Sequence, residues 1–249
     1  MGVHRYLHAS RWNWWTQVAP VDAVVVAFNN LTGTNLTAIQ TMVNSLRSAG
    51  LWDKLTDIYP FAGTTITSQA VNLKTPGTNS IAFKSGGTYG AGGMTPSGAS
   101  AAADMISTPP LMIGANRSFS CGAYYSTTVV LNWATSIRLT NANGIFHTGA
   151  DGNVYVEVFG GNQAIAFPIG ATKMVSVSTG AGSQTAYRDG STPLTAPITG
   201  NTGSTGVNAA IGSGSNSTFS VVFFGYNLTD AEQLSMYNIC NTYNSSMGR

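Results

Sequence analysis

Residues 186–192 read AYRDGST, and this stretch contains the clearest local indication of the fold. Asp189 and Gly190 are residue types that tolerate a positive φ, which the two central positions of a tight hairpin turn require. A two-residue turn of this kind joins neighbouring antiparallel strands. The stretch therefore predicts a β-hairpin and places antiparallel strands at the centre of the fold.

Short runs in which apolar and polar residues alternate continue on both sides of this turn. Each run is bounded by Gly, Asn, Pro or Asp, as strands are. So many short strands separated by turns predict a sandwich of two antiparallel sheets. The runs are TTITSQAVNL (64–73), RSFSCGAYYST (117–127), NVYVEVFG (153–160), QAIAFPI (163–169), KMVSVS (173–178) and STFSVVFFG (217–225).

A helix is predicted after the last strand, at about residues 229–246. Thr229 followed by Glu232 is a capping box. An isolated helix of this length is marginal in water, so an apolar stripe is expected to dock it on the rest of the protein. The predicted stripe has helical spacing and consists of Ala231, Leu234, Tyr237, Cys240, Tyr243 and Met247.

A pair of helices is predicted near the start, at about residues 36–59. Thr37 and Gln40 form a possible capping box, Gly50 can end the first helix, and Pro60 ends a second short one. Together with the C-terminal helix, the pair is expected to cover a face or edge of the sandwich. The predicted organisation is an arm, residues 1–20, and a single jelly-roll domain, residues 21–249.

The arm is rich in aromatic and basic residues. Residues 4–15, HRYLHASRWNWW, contain three Trp, two Arg and two His but no acidic residue. Trp12, Trp14 and Trp15 need a surface on which to bury their rings, and they are the predicted assembly contacts. Two alternatives stay open: the arm packs on its own domain, or it packs on a neighbour in an assembly.

The overall composition argues against several classes of protein. Charged residues make up 8% of the chain and the net charge is +2, too little for the dense cationic face of a nucleic-acid-binding protein. The longest apolar run is far shorter than a membrane span needs, and no secretory signal is visible. Cys121 and Cys240 are expected to be buried, reduced thiols rather than a disulfide, because no signal peptide precedes them.

Four stretches, in this order, resemble a family of bacteriophage-encoded virion proteins with a concanavalin A-like (laminin-G-like) jelly-roll domain. They are LRSAGLWDKLTDIYPFAG (46–63), AVNLKTPGTNSIAFKSGGTYGAGGMTPSG (70–98), AYRDGST and LTDAEQLSMYNICNTYNSSMGR (228–249). The segment TPGTNSI departs from the family's pattern, where charged residues often follow NLK, and the arm lies outside the match.

The resemblance implies a virion structural protein of a tail fibre, baseplate or capsid surface. Such a protein would assemble with itself as a homo-oligomer or with other virion proteins, and would be made in the host cytoplasm. Some relatives carry a lectin-like sandwich. A carbohydrate-binding module that recognises a host surface glycan is therefore the alternative function.

Catalysis is not expected. A glycoside hydrolase, the second alternative, needs two carboxylates flanking the scissile bond. The chain has two Glu residues; Glu157 lies in a predicted strand and Glu232 in a helix cap. Asp53 and Asp57 are predicted to share a solvated helix face. The prediction is a protein without catalytic residues.

Cofactor and metal sites are not expected either. His4 and His8 lack Cys or acidic partners, His147 is a polar strand end, and Asp151 with Asn153 is too small a ligand set for calcium.

Carbohydrate binding needs aromatic platforms next to hydrogen-bonding groups. Tyr89, Tyr124 and Trp133 are the candidate glycan-binding residues, together with Tyr125 and Tyr155 as further aromatic side chains. Aromatic residues in strands more often belong to the core, so packing is the competing role for each of them.

Overall fold

The structure is a computed structural model, and it describes most of the chain apart from the arm and several connections. The described residues are 20–83, 87–96, 103–105, 118–127, 135–139, 143–148, 153–156, 165–168, 171–180, 182–198, 209–213 and 217–249. Several residues that the sequence singled out lie outside these ranges: Trp12, Trp14, Trp15, Trp133, His4, His8, Asp151 and Glu157.

The described chain is mainly β, with helices near both ends. The helices are α1 (Ala23–Thr32), α2 (Leu36–Ser48), α3 (Ile66–Gln69) and α4 (Asp230–Ser246). The strands are β1 (Leu55–Tyr59), β2 (Ile81–Phe83), β3 (Thr88–Gly90), β4 (Gly93–Thr95), β5 (Ala103–Met105), β6 (Ser120–Tyr125), β7 (Thr135–Leu139), β8 (Asn143–Thr148), β9 (Asn153–Val156), β10 (Ile165–Pro168), β11 (Met174–Gly180), β12 (Ser183–Arg188), β13 (Ser191–Pro197), β14 (Ala209–Ser213) and β15 (Phe219–Gly225).

The strands form two antiparallel sheets. The first sheet has the order β13-β12-β11-β6-β15-β4-β3, and β1 also pairs with β15. The second sheet has the order β10-β9-β8-β7-β14-β5-β2. This confirms the predicted fold class, an antiparallel β-sandwich with helices packed on it.

Two hydrophobic cores lie on opposite faces of the first sheet. Val175, Val177 and Phe224 point into the core between the two sheets, where Val156 of the second sheet meets them. Their neighbours along the strands point the other way, since successive side chains of a strand face opposite sides. Met174, Val221 and Phe223 thus belong to a second core, between this sheet and α1, α2 and α4.

The two cysteines belong to different cores. Cys121 lies in the core between the sheets, and Cys240 of α4 lies in the core beneath the helices. Both are buried free thiols, which confirms the prediction of reduced cysteines. The first sheet separates them.

The predicted helical pair is half wrong. Residues 36–48 do form a helix, and Gly50 follows its end with a φ of 68°. The N-cap, however, is Asn35, whose side chain accepts from the Ala38 amide at 3.1 Å, so the Thr37 capping box is wrong. Residues 55–59 form β1 instead of a second helix.

A strand buried on both faces explains this error. Ile58 points toward the helices and Tyr59 toward the inter-sheet core, so apolar residues follow one another without alternation. Such a run cannot be distinguished from a buried helix by periodicity. Residues 55–59 form a strand because they pair with β15.

The run TTITSQAVNL was expected to be a strand, and this expectation is also wrong. Residues 66–69 form the one-turn helix α3, which begins with a capping box between Thr65 and Ser68. The side chain of Gln69 is fully buried, and its amide nitrogen donates to the carbonyl oxygens of Gly63 and Gly90 at 3.1 and 2.8 Å.

The C-terminal helix begins as predicted. The Thr229 side chain accepts from the Glu232 amide, and the Glu232 side chain accepts from the Thr229 amide. The docking stripe is only partly right: Cys240 and Tyr243 are buried, whereas Ala231 and Leu234 are exposed. The remaining buried positions are Gln233, Met236, Ile239 and Asn244.

The hairpin turn also forms as predicted. Asp189 and Gly190 have φ values of 53° and 69° and join β12 to β13. Asp189 Oδ1 accepts from the backbone amides of Lys173 and Met174, both at 2.8 Å, which ties the turn to the start of β11.

Asp57 lies on β1 and is buried, so the prediction that it shares a solvated helix face with Asp53 is wrong. Only 4% of Asp57 is exposed, and its Oδ1 accepts from Asn72 Nδ2 at 2.7 Å. Burial raises the pKa of this carboxyl above 3.8, against the opposing effects of its hydrogen bonds and of Lys74. A raised pKa means that the folded state holds the proton more tightly than the unfolded state does.

We therefore expect Asp57 to weaken the fold as the pH rises through its folded-state pKa. Below the unfolded-state pKa its protonated form contributes full stability, and that contribution is lost at higher pH. Asp57→Asn keeps the acceptor for Asn72 but removes the titration. Urea unfolding at about pH 4 and about pH 7 should show the variant gaining stability relative to wild type at the higher pH. A difference independent of pH would contradict this expectation.

Candidate functional site

Tyr124, one of the predicted glycan-binding residues, is a core residue. It is 2% exposed, its hydroxyl donates to Asn241 Oδ1 of α4 at 2.8 Å, and its ring lies 6.0 Å from that of Tyr237. Burial raises the pKa of its hydroxyl. The predicted role in glycan binding is wrong for Tyr124, because helix α4 covers its ring.

Tyr89 is half-buried in β3, at the edge of the first sheet. Its ring meets that of Phe83 edge to face, with centroids 4.7 Å apart, and packs against the inter-sheet core. Its proposed contact with a glycan stays a prediction. So do those of Trp133 and the arm tryptophans, which lie outside the described residues. Tyr125 is buried in the core, and Tyr155 lies half-buried in β9.

Glu232 is held by its own helix and by Lys54. Lys54 Nζ lies 2.6 Å from Glu232 Oε1, and the Thr229 amide donates to Oε2 at 2.9 Å. Burial acts to raise the pKa of Glu232, but these hydrogen bonds and the Lys54 charge outweigh it and leave the pKa below 4.5. Glu232 is therefore an ionised structural residue. Among the described residues, no three His, Cys, Asp or Glu side chains come together as metal ligands.

An open cleft of about 490 Å³ lies between the β11–β12 hairpin and the start of α4. This volume is within the range of small-molecule sites. We call it the hydroxyl cleft, because hydroxyl groups recur along its walls. It is lined by Ser178, Gly180, Ser183, Thr185, Tyr187, Asn227, Leu228, Thr229, Asp230 and Ala231.

The alternation of β12 places its side chains in the hydroxyl cleft. Every second residue of β12 lines the cleft, which places Ser183, Thr185 and Tyr187 on the same face of the strand. Gln184 and Ala186, between them, are buried on the other side. A polar wall of small hydroxyl side chains therefore follows from the pattern of one strand.

The second wall is the chain entering α4. Asn227 and Asp230 are exposed there, and the Tyr187 hydroxyl donates to Asp230 Oδ1 at 2.8 Å. Burial, and then the Asp230 carboxylate, raise the pKa of the Tyr187 hydroxyl, so Tyr187 remains a donor at neutral pH. A carboxylate has about four acceptor positions, so Asp230 can accept further hydrogen bonds from a ligand.

A smaller depression of about 260 Å³ is lined by Arg47, Gly50, Trp52 and Asp53. The Trp52 ring already has protein cations over it: Lys74 Nζ lies 4.1 Å and Arg47 Cζ 5.2 Å from its centroid. These cations compete with any ligand for the ring. The hydroxyl cleft is the better candidate, because it is larger and because two of its polar lining residues, Asn227 and Asp230, are exposed.

The residues of the hydroxyl cleft were not predicted from the sequence. Tyr187 lies within the quoted hairpin stretch and Asp230 within the capping-box stretch, where neither was given a role in binding. Nothing in the local patterns indicates that these two residues, 43 positions apart, share a hydrogen bond.

No family model matches the chain, and no curated protein matches it. Solved structures do match. One is Trypanosoma rangeli sialidase in complex with sialic acid, with 12% identity, a TM-score of 0.55, and coverage of 81% of this chain and 38% of the sialidase chain. Another is the binding domain of Paraclostridial Mosquitocidal Protein 1, with 11% identity, a TM-score of 0.52, and coverage of 75% and 52%.

The chain spans less than two thirds of the length of either structure. At such low identity the likeness shows the fold alone, which is a β-sandwich in each case. No helix among the described residues is long and apolar enough to cross a membrane.

Proposed function

We propose that the chain is a carbohydrate-binding module and that the hydroxyl cleft is its site. The observation that carries the proposal is the convergence of hydroxyl, amide and carboxylate groups around about 490 Å³ of open space. A sugar presents many hydroxyl groups, each of which donates and accepts. A wall that mixes donors and acceptors matches that chemistry.

The named side chains divide this work. The Asp230 carboxylate accepts from sugar hydroxyls, and the Asn227 amide both donates and accepts. Ser183 adds a hydroxyl from the opposite wall. Hydrogen bonds to a charged group are the stronger ones, so Asp230 is expected to contribute most to affinity.

Affinity for a single sugar is expected to be weak. The cleft is open, and its described lining presents hydroxyl and amide groups rather than an exposed aromatic ring. Little apolar area is then available to offset the loss of ligand freedom. A dissociation constant of about 1 mM, equivalent to about 4 kcal/mol, is the expected order.

Asp230→Ala and Asn227→Ala test the site. Each should weaken binding, Asp230→Ala by at least about tenfold, because one charge-assisted hydrogen bond is worth about 1.5–3 kcal/mol. Titration of the full chain with a panel of mono- and oligosaccharides, followed by NMR, measures the loss. Sialic acid is the first sugar to include, because the sialidase, 38% of whose chain is matched, was solved in complex with it.

Asn238→Ala is the matched control, since Asn238 is exposed on α4 but is not part of the cleft lining. It should bind sugars as wild type does. If no sugar in the panel binds at millimolar concentration, the proposed function fails. If sugars bind and all three variants behave like wild type, the site lies elsewhere.

The virion role and the absence of catalysis stay predictions from the sequence. The described lining of the hydroxyl cleft contains one carboxylate, Asp230, whereas hydrolysis of a glycosidic bond ordinarily uses two. Mass spectrometry of purified particles tests the virion role. A carbohydrate-binding module on a particle surface would serve attachment, since many weak sites acting together bind strongly.

A further inference from the structure

Helix α1 is apolar on nearly all sides. Its inward face contains Val25 and Phe28, which are fully buried against the second core. Its outward face contains Ala23, Val26, Ala27 and Leu31, at the three- and four-residue spacing that places side chains on one side of a helix. A helix that is apolar all round is typically buried on all sides.

The outward face of α1 nevertheless lacks a cover within the described part of the chain. Val26 is 43% exposed and Leu31 47%. Two further side chains are exposed to a similar extent. They are Val21, just before the helix, and Ile66 of α3, a helix that contacts α1. These four are most of the seven large hydrophobic side chains that are exposed among the described residues. We call this surface, Val21, Val26, Leu31 and Ile66, the α1 patch.

Polar contacts at the start of α1 hold it in this orientation. The Asp22 side chain caps the helix by accepting from the Val24 amide at 3.0 Å, and it also pairs with Arg47 of α2. The Asp22 amide donates to Gln40 Oε1 of α2 at 2.9 Å. The helix cannot rotate to bury its outward face without breaking these contacts.

Residues 1–19, which make up all but the last residue of the arm, end three residues before α1 and contain three of the chain's five tryptophans. We infer that this segment docks on the α1 patch of its own chain, with Trp12, Trp14 and Trp15 covering Val26 and Leu31. Trp and Tyr rings are the side chains that most often anchor such contacts.

The length of the connection permits this contact. Helix α1 has 10 residues, so it is about 15 Å long. Residues 20–23 are already placed by the structure, so the return path is residues 15–20, which can span up to about 17 Å when extended, about the length of the helix. Tethering also gives the segment a local concentration of about millimolar order, which favours its own chain over a second copy.

Val26→Asp in the full chain tests the inference. A charge in the middle of the α1 patch should release the arm, shift tryptophan emission to longer wavelength and increase its quenching by acrylamide. Leu194→Asp is the matched control, since Leu194 is 38% exposed on β13, outside the patch. It should leave the emission unchanged.

A second variant keeps the test independent of effects of Val26→Asp on folding. Replacing Trp12, Trp14 and Trp15 with Ser changes only the arm, and it should uncover the patch and increase binding of an apolar dye. In that background, Val26→Asp should produce no further shift in emission.

Two results would overturn the inference. One is an emission spectrum that Val26→Asp leaves unchanged. The other is a sedimentation mass of the wild-type protein that rises with concentration while the Val26→Asp variant stays monomeric. That result would mean that the arm docks on the α1 patch of a second copy. Sugar binding at the hydroxyl cleft is not affected by either outcome, so failure here is distinct from failure of the proposed function.

Discussion

Gly190→Ala is expected to destabilise the protein by at least about 3 kcal/mol, because it combines backbone strain with a clash against a helix. Gly190 has a φ of 69°, which costs an L-residue free energy. A Cβ there would lie 2.7 Å from the carbonyl oxygen of Gln233 and 2.7 Å from the Cα of Leu234. Both atoms belong to the backbone of α4, so they cannot move aside without lifting the helix from the sheet.

Gly182→Ala separates strain from clash. Gly182 also has a positive φ, 81°, in the turn between β11 and β12, but a Cβ there would meet nothing within 4 Å. We expect it to cost about 1 kcal/mol, from strain alone. Urea unfolding of both variants gives the comparison. If both variants lost the same free energy of unfolding, α4 would not be packed against Gly190 in the turn between β12 and β13.

Gln233→Leu is expected to cost about 2–4 kcal/mol, because it breaks a buried polar network between α4 and the first sheet. Gln233 is fully buried; its Oε1 accepts from Ser176 Oγ, and its Nε2 donates to Ser178 Oγ, both at 2.8 Å. Ser178 Oγ in turn donates to the Leu228 carbonyl, just before the helix. The variant leaves the Ser176 hydroxyl without its acceptor in an apolar layer.

Two further variants show whether the network is responsible. Asn238→Leu, on the exposed side of the same helix, should change stability by no more than about 0.5 kcal/mol. Adding Ser176→Ala to Gln233→Leu removes the orphaned hydroxyl, so the double variant should lose less than the sum of the two single losses. Strict additivity would contradict a shared network.

Local sequence chemistry correctly predicted the features that depend on neighbouring residues. The Asp189-Gly190 turn and the Thr229 capping box form as predicted, because residue types with special φ values or short polar side chains act within a few positions. Strand-like runs such as KMVSVS and STFSVVFFG were also predicted correctly, although β11 and β15 are buried on both faces of the first sheet.

Burial depends on what lies opposite each element, and here local pattern was insufficient. Gln233 is buried in place of the predicted Leu234, since hydroxyls of β11 meet the helix at that position and satisfy an amide. Tyr124 is covered by α4 although its strand alone would allow an exposed ring. Residues 55–59 form a strand because β15 pairs with them.

The sequence by itself thus determined the hairpin turn and the start of the C-terminal helix, because each depends on contacts within one short segment. It also indicated the sandwich class, through the number of short strand-like runs and the turns between them. Only the tertiary structure decided the candidate site and the exposed face of α1. Tyr187 and Asp230 meet because β12 and α4 are stacked, and hydrogen bonds between distant segments have no local pattern that predicts them.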